Sequence, residues 1–561
     1  MILILIVDNK SPYFTRRIKV QNTVGNIPRP LNDPINSYAP GSPEKAALQA
    51  ELARMESQQI EIPLIIGGQE IKTGDTGKCV QPHNHSKVLA TFHKAGEKEV
   101  NMAIEAAMHA KKEWEAMPWQ QRACIFIKAA ELLRTKYRNV INAATMLNQS
   151  KNAFQAEIDS ACELVDFLRF NTYFMQELYK EQPMYSPEGI LNYIEHRPLE
   201  GFVFAITPFN FTSIAGNLPT APAMMGNVVL WKPASSAVYV SYFLMKLFQE
   251  AGLPDGVINL VPGSGAKVGD PVFASPDFAG LHFTGSTEVF QGMWKTIGNN
   301  IANYKTYPRI VGETGGKDFM VVHPSADIAA VKTAITRGAF EYQGQKCSAL
   351  SRAYLPKSIW AELKAPLIAE IKSLKMGPVQ DFSNFINAVI DKAAFNNTKG
   401  FIDRAAASPD AEVICGGKCD DSVGYFIEPT IIEAKKPDYE SMVEEIFAPV
   451  LTVYIYEDDK YEQALELCDN TSIYALTGCI MSQDRYAAIQ AIEKLRHAAG
   501  NFYINDKPTG AVIGQQPFGG SRGSGTNDKA GSILNLQRWV SPRLIKENFI
   551  PPTDYKYPFL G

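Results

Sequence analysis

Residues 201–235 read GFVFAITPFNFTSIAGNLPTAPAMMGNVVLWKPAS. An apolar run, GFVFAI (201–206), stops at Thr207-Pro208. A stretch of small residues near 212–225 reads as a helix, and a second apolar run, NVVLWKP (227–233), follows it. Both runs have the length and the aromatic and β-branched content of strands. The rhythm continues outward: a helix over 236–251, the strand VINLVPG (257–263), a helix near 265–274 and the strand AGLHFTG (279–285). Strands alternating with helices predict a parallel sheet covered by helices, an α/β fold that binds ligands beyond the carboxyl ends of its strands.

A second alternating section starts at FMVVH (319–323), with helices near 327–343, 360–374, 388–407 and 484–498. Upstream, residues 44–60, 97–149 and 152–179 carry helical periodicity. Pro183, Pro187 and Pro198 punctuate 182–198, which leaves room for a strand at 190–196. Residues 1–43 hold turn formers and read as a tail. Within them Asn9 to Leu31 carries five basic and no acidic residues, which resembles a weak mitochondrial presequence; the alternative reading is a disordered terminus basic by chance, with a cytoplasmic location.

The 561 residues suggest about three or four domains. With 45% hydrophobic and 20% charged residues, the composition is that of a soluble globular chain. A net charge of −4 gives no nucleic-acid footprint, and no apolar run is long enough for membrane insertion. The eight cysteines are scattered and fit neither a disulfide framework nor a metal site.

The strand ends carry the chemistry. Thr207-Pro208-Phe209-Asn210, Lys232-Pro233-Ala234-Ser235, Pro262-Gly263-Ser264-Gly265 (with Gly269 beyond) and Thr284-Gly285-Ser286 each follow a strand. Glycines there let a backbone approach a phosphate, and helix N-termini favour anions. The spacing Gly263, Gly265, Gly269 alone reads as well as a tight turn. Gly344-Gln345-Lys346-Cys347-Ser348 puts one cysteine just after a helix, GETGGK (312–317) puts Glu313 in a glycine-flanked loop, and Asn210 adds a side-chain amide. A lone cysteine is usually a small buried hydrophobe. The three together supply a nucleophile, a base and an oxyanion donor.

The motifs PFNF, WKPAS, FTGS, GETGGK, GQKCSA and EEIFAPV occur in the order of the aldehyde dehydrogenase superfamily, which residues 43–550 resemble. The resemblance implies a Rossmann-like NAD-binding domain (44–181 and 199–316), an α/β catalytic domain (317–519) and a bridging β-hairpin oligomerisation element (182–198 and 520–561). It implies Cys347 as nucleophile, Glu313 as general base and Asn210 as oxyanion donor. Thr314 stands where the commonest family loop has leucine. For the cofactor, NAD, the matching positions are Ile206, Thr207, Pro208, Lys232, Ser235, Gly265, Gly269, Phe283, Gly285, Ser286, Glu445 and Phe447. Ser235 stands where many members carry an acidic residue, which leaves NADP open.

GGKCDDSVGYFIEPT (416–430), NFYINDK (501–507) and GQQPFGG (514–520) resemble the branch that oxidises L-glutamate gamma-semialdehyde to glutamate in proline breakdown. The implied substrate contacts are Phe211, Ser348, Gly510, Ala511, Phe518 and Glu157. Ala511 replaces the serine common in that branch. A matrix location and a homodimer or higher homo-oligomer are also implied. The alternatives are another semialdehyde, whose second carboxylate would favour an arginine absent from 505–520, a CoA-acylating relative, which retention of Glu313 disfavours, or a non-catalytic NAD-binding scaffold, which the intact Cys347, Glu313 and Asn210 disfavour.

Overall fold

The computed structural model describes residues 25–561. The apolar runs form the inner strands of two seven-stranded sheets. In the first, the order is Arg309–Glu313, Phe278–Thr284, Phe202–Thr207, Val228–Pro233, Ile258–Leu260, Leu64–Ile66 and Gln69–Ile71. The first five are parallel and the last two join antiparallel. Phe202–Thr207 is buried along its whole length, as a central parallel strand covered by helices must be. From it the chain moves one way to Val228–Pro233 and Ile258–Leu260, then crosses back to Phe278–Thr284 on the other side. The point between Phe202–Thr207 and Phe278–Thr284 is therefore a topological switch, where such sheets open a crevice for ligands.

The second sheet has the order Ala411–Cys415, Thr430–Ala434, Val450–Tyr456, Leu350–Pro356, Asp318–Val322, Thr477–Met481 and Asn501–Ile504. It is parallel apart from Ala411–Cys415. A third, three-stranded sheet (Ile60–Ile62, Asn84–His93, Thr76–Gln81) has no counterpart in the sequence reading. Ile190–Pro198 pairs along nine residues with Val540–Asn548. This is the expected two-stranded ribbon, but narrower than 182–198 with 520–561. Residues 521–539 return to the body, where Thr526 bonds to Gly312 and Trp539 is fully buried.

The helical stretch 97–149 is three helices, Glu97–Ala116, Trp119–Arg134 and Arg138–Gln149, the first break falling at Pro118. The stretch 152–179 contains a π-helical turn, Glu157–Cys162, between Ala153–Ala156 and Glu163–Lys180.

The tail reading of 1–43 needs correction over the described part. Residues 25–42 form neither helix nor strand, yet they are bound to the body. Asp33 is buried and pairs with Arg134, Arg138 and Arg169 at 3.0, 2.6 and 3.1 Å. The backbone N–H of Ile27 donates to Gln176 Oε1 at 2.6 Å. Side-chain ion pairs hold this segment, and hydrophobic periodicity cannot reveal them. The presequence reading of Asn9 to Leu31 lies, up to residue 24, outside the described residues. Among the described residues no helix is long and apolar enough to cross a membrane.

Candidate active site

Strand register gathers the expected cofactor residues in one row. Lys232 is opposite Ile206, Ile206 opposite Phe283 and Phe283 opposite Gly312, which puts four strand ends side by side with Glu313 one residue further on. Ile206, Thr207 and Phe283 are buried at this row. Pro208 follows at its edge. Among the described residues Lys232 Nζ reaches only its neighbour's carbonyl, Pro233 O, at 3.5 Å, and burial lowers its pKa. A poorly partnered, partly desolvated amine suits hydroxyl oxygens.

Ser235 is exposed at the same strand end. Gly265 opens the helix Gly265–Ala274 with free space where a Cβ would be. Ser286 caps Thr287–Asn299, accepting from Val289 N–H, and Gly285 N–H donates to Glu313 O at 3.2 Å. Two helix N-termini thus open beside this row, a fit for a dinucleotide's phosphates. Gly269 departs from expectation: it is buried within its helix, against Phe273.

GETGGK brings the other half of the site into contact. Gly316 lies against the cysteine loop so closely that a Cβ would sit 2.2 Å from Cys347 O, and its N–H donates to Glu445 Oε1 at 2.8 Å. Phe447, two residues on, is left-handed at φ 59 and meets Phe209 edge-on at 5.9 Å. Thr314 is accounted for: its hydroxyl donates to Gly523 O at 2.6 Å and its N–H to Ser524 O at 2.9 Å, a pairing leucine could make only through its backbone. Glu313 Oε2 accepts from Gly520 N–H at 3.2 Å. Asn210 Nδ2 donates to Gln345 O at 3.0 Å, which ties the amide to the cysteine loop and leaves its second N–H available.

The electrostatics run against simple activation of the thiol. Burial raises Cys347 well above the usual thiol range, and Asp318, Glu313 and Glu445 push it further. Burial likewise raises Glu313 well above the carboxylate range, opposed in part by the Gly520 N–H and Lys529. Glu445 is raised to about 7, again by burial. Burial and carboxylates dominate the surroundings of the sulfur, which therefore needs a base at the moment of attack.

Of the expected substrate residues, Ser348 Oγ and Thr509 Oγ1 are hydrogen-bonded at 2.8 Å, joining the cysteine loop to Thr509-Gly510-Ala511. Gly510 is left-handed at φ 97 and exposed, and Lys507 Nζ donates to Thr509 O at 2.8 Å. Phe518 is half-buried and pairs by backbone with Ala530. Glu157 needs correction. Its carboxylate is saturated by Arg138, by Tyr38 Oη and Asn142 Nδ2 at 2.7 Å each, and by Asn36 N–H at 2.8 Å. It fastens the 25–42 segment to the π turn.

The sequence reading missed a buried charged cluster around Phe211. Lys151 Nζ lies 4.3 Å from the centres of both the Phe211 and Tyr342 rings and 2.8 Å from Asp159 Oδ2. Lys346, beside the cysteine, reaches the same Asp159 oxygen at 3.3 Å. Glu163 accepts from Ser213 Oγ, and burial, with Asp159 adding to it, raises it to about 8. Burial lowers Lys151 to about 8. The available signal was Lys346 next to Cys347 and the spacing Asp159, Glu163 on a helical stretch.

The pattern of the aldehyde dehydrogenase family matches residues 70–544. The chain is 56% identical, over 95% of its length and 96% of the relative's, to delta-1-pyrroline-5-carboxylate dehydrogenase, mitochondrial, of Dictyostelium discoideum. It is 48% identical to the human protein of that name, over 94% of each chain. Among solved structures, the delta-pyrroline-5-carboxylate dehydrogenase of Mycobacterium tuberculosis bound with NAD superposes with a TM-score of 0.93 at 50% identity, covering 96% of this chain and all of that one. On this agreement of site, fold and sequence, the chain belongs to the aldehyde dehydrogenase family.

Proposed function

We infer that this chain is an NAD-dependent dehydrogenase that oxidises L-glutamate gamma-semialdehyde to L-glutamate, the second step of proline breakdown. The observation that carries the reading is that the Cys347 loop is bonded to Asn210 through Gln345 O and lies within electrostatic reach of Glu313, with the Ser348–Thr509 pair beside it.

Cys347 Sγ attacks the aldehyde carbon, and the thiol proton leaves for a base. Glu313 is suited to receive it, because a carboxylate with a raised pKa is a stronger base once ionised. The free N–H of Asn210 and the Cys347 backbone N–H stabilise the thiohemiacetal oxygen. Bound NAD, held by Lys232, the two helix N-termini and Glu445, supplies the hydride acceptor that turns the thiohemiacetal into a thioester. Glu313 gives up the thiol proton to solvent and, ionised again, takes a proton from the water that attacks the thioester, then passes it to the departing Cys347 sulfur as the acid is released.

The substrate carries a carboxylate and an ammonium group. The backbone N–H groups at Gly510 and Ala511 suit the carboxylate, and a backbone donor survives the presence of alanine at 511. Phe211 and Phe518 pack on the aliphatic chain. Lys151 and Lys346 beside Phe211 are balanced by Asp159 and Glu341, so the substrate carboxylate is left to the Gly510 and Ala511 N–H groups. The exposed Ser235 neither repels a 2′-phosphate nor binds a ribose diol as a carboxylate would, and NAD is the cofactor named with the solved relative. The ribbon of Ile190–Pro198 with Val540–Asn548 is only two strands wide and has little core of its own, which favours a homodimer joined through it. The relatives' names and the basic N-terminus favour the mitochondrial matrix.

Trapping tests the mechanism. Glu313→Gln incubated with semialdehyde and NAD should form its first NADH more slowly than wild type, because the thiol proton must then leave to solvent, and should stall at about one NADH per site with the acyl group on Cys347 by mass spectrometry. Full turnover in this variant would remove Glu313 from the role.

A further inference from the structure

Three consecutive residues ahead of the Cys347 loop are left-handed: Tyr342 (φ 50, ψ 40), Gln343 (φ 54, ψ 30) and Gly344 (φ 66). L-residues visit this region singly and seldom, because Cβ crowds the following carbonyl. Glycine accounts for position 344, where a Cβ would lie 2.3 Å from Ala448 O. Nothing intrinsic favours Tyr342 or Gln343 there, and both are buried.

Their side chains hold the conformation. Gln343 Nε2 donates to Ser150 O and Ala388 O, each at 2.9 Å, and its Oε1 accepts from Asn387 N–H at 3.1 Å. Tyr342 Oη donates to Gln149 O at 3.0 Å. Ser150 is itself left-handed, at φ 57, and its Oγ accepts from Ala388 N–H at 3.2 Å. The turn is thus bolted to the C-terminal end of the helix Arg138–Gln149 on one side and to residues 387–388 on the other. The next residue completes the link: Gln345 Oε1 accepts from Ile390 N–H at 2.9 Å and Gln345 O accepts from Asn210 Nδ2 at 3.0 Å.

We propose that this left-handed turn sets Cys347 against Asn210, and that Gln343 is its positioning residue. The proposal rests on the reading of Cys347 as nucleophile and Asn210 as amide donor. The backbone conformation is what the reaction needs, and the Gln343 bonds supply it at a residue with a Cβ. Alanine at 343 keeps the steric conflict and loses the bonds. Glycine loses the bonds and the conflict together.

The test compares Gln343→Ala and Gln343→Gly with wild type, using single-turnover NADH formation with glutamate gamma-semialdehyde, NAD affinity and the thermal midpoint. Gln343→Ala should slow the single turnover by about tenfold or more while NAD affinity stays within about twofold, and Gln343→Gly should return to within about threefold of wild type. Rescue by glycine separates backbone positioning from general stabilisation, which would lower the midpoint in both variants and leave the single-turnover rate alone. Gln343→Ala turning over at the wild-type rate, or Gln343→Gly as slow as Gln343→Ala, would overturn the proposal. Should Gln343→Ala fail to fold, Tyr342→Phe drops only the bond to Gln149 O and should slow the same step by about threefold or more, an unchanged rate again overturning it. Cys347→Ala as a control keeps the two readings apart: its retained activity would sink the nucleophile assignment, whereas an inactive Cys347→Ala beside an unimpaired Gln343→Ala sinks only the role of the turn.

Discussion

Glu313 and Cys347 share surroundings that hold a proton on each of them, and this shapes the pH dependence. Burial raises both groups, so Glu313 becomes a base only above the ordinary carboxylate range. As pH falls, the protonated Glu313 can accept neither the thiol proton nor one from water. The rate kcat/KM should therefore decline toward acid along a limb displaced above the range near pH 4 typical of a free glutamate, measured from initial rates across pH. A limb at the free-glutamate position would contradict the burial argument. Glu163 gives the complementary effect on stability. Its folded pKa, about 8, is above the unfolded one, so its contribution is intact below about pH 4 and is lost as pH rises through about 8. Glu163→Gln, which cannot ionise, should gain thermal midpoint relative to wild type at pH 9 compared with pH 6. A difference independent of pH would show that Glu163 is not a buried neutral acid. Cys347, Glu313 and Asn210 were legible because their motifs are local. The cluster of Lys151, Asp159, Glu163 and Lys346 was not, because the stretch 151–163 meets the distant cysteine loop only in the folded chain. Glu157 was misread for the same reason: its partners Tyr38 and Arg138 come from far along the chain.

The element that sequence patterning missed most clearly is the segment 25–42. It has no periodicity because it is attached by an ionic contact, Asp33 with three arginines, and by hydrogen bonds such as those from Asn36 N–H and Tyr38 Oη to Glu157. Asp33→Ala should lower stability by about 3 kcal/mol, since it removes the buried carboxylate that three arginines share and leaves only Glu131 and Glu157 to pair with them. The expected signs are a lower denaturant midpoint and faster proteolysis ahead of the helix Pro43–Glu56; unchanged values would show the segment is only loosely attached. One strand of the two-stranded ribbon was legible between Pro187 and Pro198, and the other came only with the family resemblance, whose bounds of 182–198 and 520–561 are wider than the paired residues. Trp539 and Thr526 belong to the body, and burial cannot be read from a polar stretch such as 520–531. Tyr193 and Leu544 remain exposed on the ribbon. Leu544→Glu should shift the mass measured by light scattering from a dimer or larger species toward the monomer, and a monomeric wild type would remove the ribbon from assembly. The central strands were read almost to the residue because a buried parallel strand is a short apolar run. The sheet of Ile60–Ile62, Asn84–His93 and Thr76–Gln81 escaped because its strands are half polar and carry bulges.

At the scale of the whole molecule, two α/β sheets face one crevice. The first supplies the row from Lys232 to Glu313, the second the Cys347 and Glu445 loops, and the glycines of GETGGK let them meet. That division explains why order along the chain, with six motifs on separate strand ends, carried so much of the reading, while substrate choice depended on loops that only the folded chain assembles. It also sets where the account is most exposed, in the claim that this site selects an aldehyde bearing a carboxylate and an ammonium group. The direct test is NADH formation with glutamate gamma-semialdehyde, succinic semialdehyde and propanal, for wild type and Cys347→Ala. The account predicts a clear preference in kcat/KM for glutamate gamma-semialdehyde, abolished in Cys347→Ala. An equal or greater kcat/KM for another aldehyde, or activity that survives the loss of Cys347, would contradict it.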